Sequence, residues 1–334
     1  MIVVGGEALV DLVDGDGSLH PVAGGGPFNT AIALGRLEVP VAFLGSISRD
    51  TYGQMLAERL VESGVDMSFV RRSDAPTARA YVRRQHDGDS EYSFEVEGTS
   101  LVDLSPPDLP SLPEDAWALH VGTLSLAIDP PAAAYEALVQ REAQRRQIIL
   151  DPNVRPAIFG DAATYRRRFE RLVQAADLVK LSEADAGWIY PGLGVKELIE
   201  LVLGFGPRVV AVTRGRNGAV AASGDVFVDI AGVRVAVVDT IGAGDTFGAA
   251  FITALVDEAA FGPQPSRPID ELVLSRAVAY AVAASAITCT RTGAVPPSRG
   301  EIQAQLSALG PTQFAAESVD LTVSAEPTDL GSTS

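Results

Sequence analysis

The sequence predicts an α/β protein: a mostly parallel central sheet between two helical layers, with a small β-sheet set apart from it. Three observations predict this. Short apolar runs of strand length alternate along the chain with segments of helical apolar periodicity, the pattern of repeated β–α units. Glycine (32) and proline (21) supply many tight turns, which favours α/β over a plain helical bundle. Two regions, about 9–23 and 76–97, carry short strands around turn signals, and these cannot all extend the central sheet.

The 334 residues suffice for one large domain or one domain with a small appendage. An apolar share of 47% against 21% charged residues is that of a globular chain. Acidic residues outnumber basic ones by 43 to 26, and the net charge of −17 opposes non-specific binding to nucleic acid or anionic lipid. It leaves ATP open, since a local pocket of N–H groups, magnesium and an arginine outweighs a distant net charge. Cys289 is the single cysteine, which excludes an internal disulfide and a cysteine-based metal cluster. The first residues carry Glu7 and Asp11 and form no signal segment, and no clean apolar twenty-mer follows. The expected location is cytoplasmic.

In chain order, residues 1–6 form an apolar strand ending in glycines, and 7–13 continue extended to a hairpin turn at Asp14-Gly-Asp-Gly. Gly24-Gly25-Gly26-Pro27 turns into a helix over 29–37 that stops before Pro40, and 41–47 is a second core strand. A helix over 52–61 ends at Gly64. Residues 77–96 form two short strands about Asp87-Gly-Asp. Core strands at 118–122 and 148–150 flank a helix over 131–145. His120 reads as a packed strand residue. A further helix starts near 163, and 209–220 reads as strand, loop, strand. A helix over 276–289 is rich in alanine. The acidic stretch over 309–334, without Lys or Arg, is expected to be a disordered tail after a domain covering 1–308.

The stretch around which the chain is organised is 235–251. It opens as an apolar run of strand composition, tightens over Gly242, Ala243 and Gly244, and continues with helical periodicity. Asp245 is thereby placed at a helix start, where backbone N–H groups and the helix dipole hold anionic oxygens. Two readings stand side by side. Asp245 helps to cap its helix, or it takes a proton from an incoming hydroxyl while the backbone groups hold a phosphoryl in transfer.

The run Asp239-Thr-Ile-Gly-Ala-Gly-Asp245-Thr-Phe resembles the C-terminal signature of the ribokinase-like (PfkB) carbohydrate kinases, and Gly24-Gly-Gly-Pro-Phe-Asn29-Thr-Ala their N-terminal one. Matching motifs lie between them, and the similarity runs from about 1 to 300. It implies a three-layer α/β/α fold whose small sheet is a lid that excludes water. It implies ATP and Mg2+, with K+ as an activator. Within it, Asp245 is the base, and Gly242, Ala243 and Gly244 form the anion hole. Asp11, Gly25, Gly26 and Asn29 hold the sugar. In Asp151-Pro-Asn-Val-Arg, Asn153 and Arg155 are implied near the acceptor or the transferring phosphate, and Arg155 meets either an acceptor carboxylate or phosphate.

Thr213, Gly215 and Gly218 match the family's Thr-x-Gly-x-x-Gly and imply contact with nucleotide phosphates, shared with Gly244. Asp239 is implied at a monovalent-cation site. Ser182 and Asp185 stand where many relatives carry Asn and Glu, which points Asp185 toward a water-mediated magnesium contact. Gly45-Ser-Ile-Ser-Arg-Asp50 departs from a glycine-rich family motif by Ser48. The motif forms resemble bacterial fructokinases and imply D-fructose as acceptor. 2-Keto-3-deoxygluconate is the alternative, then ribose or a nucleoside. A sugar-binding regulator without transfer is the alternative of another class, and the exposed lid edge suggests a homodimer.

Overall fold

The computed structural model describes residues 1–15, 18–84 and 90–309. Thirteen strands follow one another as β1 (Ile2–Gly5), β2 (Leu9–Gly15), β3 (Ser18–Gly24), β4 (Val41–Ser48), β5 (Asp66–Ser73), β6 (Arg79–Arg84), β7 (Ser90–Glu95), β8 (Ala118–Gly122), β9 (Gln147–Asp151), β10 (Leu178–Ser182), β11 (Val209–Thr213), β12 (Ala219–Ser223) and β13 (Val226–Ile230). The helices are α1 (Gly26–Arg36), α2 (Thr51–Glu62), α3 (Pro131–Glu142), α4 (Pro156–Phe159), α5 (Ala162–Val173), α6 (Glu183–Ile189), α7 (Val195–Gly204), α8 (Ala243–Asp257), α9 (Glu271–Cys289) and α10 (Arg299–Leu309).

Nine strands make the central sheet, in the order β13-β12-β11-β10-β9-β8-β1-β4-β5. From β11 to β5 every neighbouring pair is parallel, and β12 and β13 close one edge antiparallel. The inner strands read as unbroken apolar runs because both faces are covered, as parallel sheets require. The period-two alternation of side chains assigns each residue to a layer. Ile2, Val4, Ile149, Leu178 and Val209 point into the core shared with α1, α2, α8 and α9. Val3, Ile148, Leu150, Val179 and Val210 point into the opposite core, shared with α3, α5, α6 and α7. These are the three layers expected from the sequence.

The small sheet has the order β3-β2-β6-β7, with β2 antiparallel to β3, parallel to β6, and β6 antiparallel to β7. Asp50 joins this sheet to the body. Its carboxylate accepts from the Gly53 amide at the start of α2, and from the amide and hydroxyl of Thr77 just before β6. The aspartate retained in the altered motif is therefore structural.

The apolar run over 235–239 does not form the expected strand. It crosses the surface outside both sheets, with Val237 and Val238 62% and 54% exposed. Its apolar character serves a cavity wall instead, described below. α9 is long and apolar enough to cross a membrane, but its apolar character has an internal cause: it is mostly buried, packed against α8, β12 and β13. The turn residues at 16–17 and 87–89, and the tail expected over 309–334 apart from Leu309 at the end of α10, lie outside the described residues.

Candidate active site

The strands of the parallel sheet end together, and the segments leaving β1, β8, β9 and β11 contribute to two adjoining cavities, as expected at the carboxyl ends of such a sheet. The first, of about 310 Å³, is lined by Glu7, Leu9 and Asp11 after β1, Gly25, Gly26 and Asn29 at the start of α1, Thr123, Asn153 and Arg155 after β8 and β9, Phe94 of the small sheet, and Gly244 and Asp245 of α8. The second, of about 570 Å³, is bounded by Thr213, Gly215 and Gly218 after β11, by Val235 and Val237, and by Phe247, Val282, Ala286 and Cys289 of α8 and α9. Thr240 and Gly244 line both.

Gly242 precedes α8 in the left-handed conformation (φ 74°), and a Cβ there would stand 2.5 Å from that of Ala294. Only glycine fits. No side chain caps the helix, so the Gly244 and Asp245 N–H groups in its first turn lack intrahelical acceptors. This removes the capping reading of Asp245. Asp245 is 5% exposed, and its carboxylate accepts instead from the Asn29 side-chain amide at 2.8 Å, and more distantly from Asn153 Nδ2 at 3.4 Å. The two sequence signatures, 216 residues apart, are thus joined by one hydrogen bond. Burial raises the Asp245 pKa, while Lys180, the Asn29 hydrogen bond and Arg155 pull it down. The group is a stronger base than a surface aspartate.

Asp11 lies on β2 at the floor of the first cavity. Burial pushes its carboxyl up to about 7, against the pull of Arg155 and with the repulsion of Asp245 and Asp239. Gly26 sits so near Thr123 that a Cβ would be 2.3 Å from its hydroxyl oxygen. Arg155 lines the cavity, but one of its terminal nitrogens donates to the Asn153 backbone and side-chain oxygens and to Val154 O at 2.7–3.1 Å. Asp185 lines neither cavity. Its carboxylate is held by the amides of Ser182 and Val154 at 2.7 and 2.6 Å, and with Ser182 it forms the capping box of α6. Asp239 accepts from the amides of Ile241 and Gly293, tying the segment before α8 to the one after α9.

Two side chains at the site, Thr123 and Lys180, were not assigned to it from sequence, whereas Asn153 was expected there beside Arg155. Asn153 and Thr123 hold positive φ values of 38° and 58°, a conformation asparagine adopts more readily than most residues but exceptional for a β-branched one. Such strain gathers where function fixes geometry. Lys180, buried on β10, contacts Asp151 and is a charged neighbour of Asp245. A lysine within the apolar run Leu178-Val-Lys-Leu, in a chain with two lysines, was the available signal.

The model of the pfkB family carbohydrate kinases matches residues 2–299. A fructokinase of Rhizobium leguminosarum bv. trifolii is 40% identical over 260 residues, 76% of this chain and 79% of that one. The fructokinase of Vibrio cholerae O395, solved with fructose, ADP and calcium ion bound, superposes with a TM-score of 0.80 at 26% identity, over 91% of this chain and 98% of that one. A double mutant of the same enzyme, solved with fructose, ADP and potassium ion, superposes equally, with a TM-score of 0.80 at 26% identity over 91% and 97% of the two chains.

Proposed function

The chain belongs to the pfkB family of carbohydrate kinases, and from that premise we propose that it transfers the γ-phosphoryl group of ATP to D-fructose, giving fructose 6-phosphate and ADP. The observation that carries this reading is the position of Asp245. It is a buried carboxylate in the polar cavity, one residue from Gly244, which lines both cavities at a helix start without a side-chain cap. Fructose occupies the first cavity and the nucleotide the second, and their reacting ends meet at Gly244.

Asn29 orients Asp245, which takes the proton of the 6-hydroxyl as its oxygen attacks the γ-phosphorus. The oxygen–phosphorus bond forms, the bond from phosphorus to the bridging oxygen breaks, and ADP leaves with that electron pair. The N–H groups around Gly242, Ala243 and Gly244 receive the charge of the transferring phosphoryl oxygens. Asp11, Gly25, Gly26 and Asn29 hold the sugar, and Thr213, Gly215 and Gly218 the nucleotide phosphates. Phe94 of the small sheet closes over the sugar and keeps water away.

Among the described residues no group of three His, Cys, Asp or Glu side chains could hold a metal. Magnesium held by the ATP phosphates would supply charge neutralisation of the phosphate oxygens. A monovalent cation would lie beside Asp239, the carboxylate between the segments before α8 and after α9, and would steady them when bound. A second copy of the chain pairs with an outer strand of the small sheet, where Leu19 of β3 is 52% exposed.

Three carboxylates (Glu7, Asp11 and Asp245) line the first cavity against one guanidinium that already donates to its own loop. This balance favours a neutral polyol over a sugar acid such as 2-keto-3-deoxygluconate. The test is ATP-dependent phosphorylation of fructose, 2-keto-3-deoxygluconate, ribose and a nucleoside, ranked by kcat/KM. Fructose should lead, and Asp245→Ala should lose about 10²–10⁴-fold in kcat while still binding fructose. A higher kcat/KM on the sugar acid would refute the acceptor, and wild-type turnover in Asp245→Ala the mechanism. No turnover on any sugar, with fructose still bound, would identify a sugar-binding regulator.

A further inference from the structure

Beneath the first turn of α8 lies an ion pair that the transfer steps above leave unused. Leu178 of β10 pairs with Ile149 of β9, and Val179 with Leu150. One step further, Lys180 and Asp151 lie side by side on the face of the sheet covered by α8. Lys180 Nζ donates to Asp151 Oδ2 at 3.0 Å and Oδ1 at 3.3 Å, and the two side chains are 4% and 5% exposed. A Cβ on Gly244 would stand 3.2 Å from Nζ, and one on Gly248 3.9 Å from Asp151 Oδ2. The pair is packed against the stretch of helix that carries Asp245.

Stability is a poor explanation for it. Two buried charges lose hydration that their attraction repays only with good geometry, and apolar residues of similar volume often do as well. An ammonium near a helix N-terminus is further opposed by the helix dipole.

The groups facing Lys180 are Asp151 from β9, Asp185 from α6, Asp245 from α8 and His120 from β8. Burial works against the ammonium, but the three carboxylates outweigh it and keep Lys180 charged. Asp185 is engaged by two amides, and burial holds His120 neutral, with its pKa down to about 3. Asp245 is faced by Lys180, by Asn29 of α1, by Asn153 and Arg155 after β9, and by Glu7 and Asp11 after β1. Burial raises its pKa, and Lys180 is the foremost group drawing it back.

We propose that Lys180 and Asp151 are positioning residues for phosphoryl transfer: the ammonium keeps the Asp245 carboxylate ionised and seats the first turn of α8, while Asp151 moderates that charge so that Asp245 still accepts a proton. The proposal rests on the role assigned to Asp245 above. Neither residue lines either cavity. Both act by setting the charge and the height of a group that does.

The test is the pH profile of kcat, at saturating ATP and fructose, for wild type, Lys180→Met/Asp151→Asn, Asp151→Asn and Asp245→Ala. In the double variant, which replaces the pair by neutral groups of similar size, the acid limb should move up by about one pH unit. Turnover near pH 6 should fall about tenfold and largely return at high pH, with the fructose KM within about threefold. Burial pushes the Asp151 carboxyl itself up to about 7, against the pull of Lys180, so it is partly protonated over the limb. In Asp151→Asn the unmoderated ammonium should therefore shift the limb the other way, to lower pH, by less than the upward shift of the double variant. Unmoved limbs in both variants would overturn the proposal. If the double variant does not fold, Asp151→Asn decides: a downward shift supports the proposal, and an unmoved or upward one refutes it. Wild-type turnover in Asp245→Ala would instead remove the base on which the proposal rests, a result distinct from unmoved limbs beside an inactive Asp245→Ala.

Discussion

The two cavities share Thr240 and Gly244 but are made of different material. The first is polar, with buried carboxylates and amides drawn from segments far apart in sequence and hydrogen-bonded to one another, as Asn29 is to Asp245. The second is walled mostly by valine, alanine and phenylalanine side chains and by glycine turns, with Arg216, Arg234 and Ser285 as its main polar side chains. A wall of charges in fixed positions discriminates by the penalty for leaving any one of them unpaired. An apolar wall discriminates by shape, at about 1–3 kcal/mol per misplaced group. The sugar side should therefore fail steeply under small chemical changes, and the nucleotide side gradually under steric ones.

The largest expected effect that sharpens this contrast is Asp11→Asn, assayed by steady-state kinetics. Weakening a charge-assisted hydrogen bond, worth about 1.5–3 kcal/mol, should raise the fructose KM roughly 10–100-fold and leave the ATP KM within about twofold. Equal effects on both substrates would show the cavities to be less separate than drawn here. Next in size, Ala286→Phe puts an aromatic ring into the second cavity from α9. The ATP KM should rise about tenfold, with the fructose KM unchanged. A fructose defect from this variant would contradict the division.

A smaller effect concerns stability without substrates. Burial raises Asp11 from its ordinary value of 3.8 to about 7 in the folded chain. The folded state thus binds this proton more tightly than the unfolded one, and the associated stability is present below about pH 4 and lost as pH rises through 7. Across that range Asp11→Asn should gain stability relative to wild type, read as a rising difference in melting temperature and on the order of a few kcal/mol at most. A constant difference between the two melting curves would mean that Asp11 is not held in this way. The smallest effect is exchange of potassium for a large organic cation at fixed ionic strength, which should lower kcat severalfold. No change would remove the cation from beside Asp239 and leave both cavities as they are.

The layers were legible in the sequence because buried parallel strands have an apolar pattern that surface segments seldom imitate. Residues 235–239 did imitate it, since a cavity wall and a strand both favour valine, and neighbours distant in the chain decide between them. The first cavity was half legible. Gly242, Asn29 and Asp245 fall in signatures whose spacing fixes them, but the bond between Asn29 and Asp245 depends on how α1 meets α8. Asn153 was legible through the motif it shares with Arg155, but Thr123 was missed because nothing in a β-branched residue announces a positive φ. Lys180 was missed because its significance lies in what surrounds it: a lysine in an apolar run is a question that only the fold answers.

The most direct measurement is the distance from Asp245 to the reacting groups in a crystal structure with fructose and a non-hydrolysable ATP analogue. A carboxylate oxygen of Asp245 is expected about 2.6–3.2 Å from the 6-hydroxyl, and that hydroxyl about 3–3.5 Å from the γ-phosphorus, with the Gly244 N–H directed at a γ-phosphate oxygen. A complex closed over both ligands, with Asp245 turned away from the hydroxyl and the phosphate held elsewhere than at the start of α8, would contradict the account.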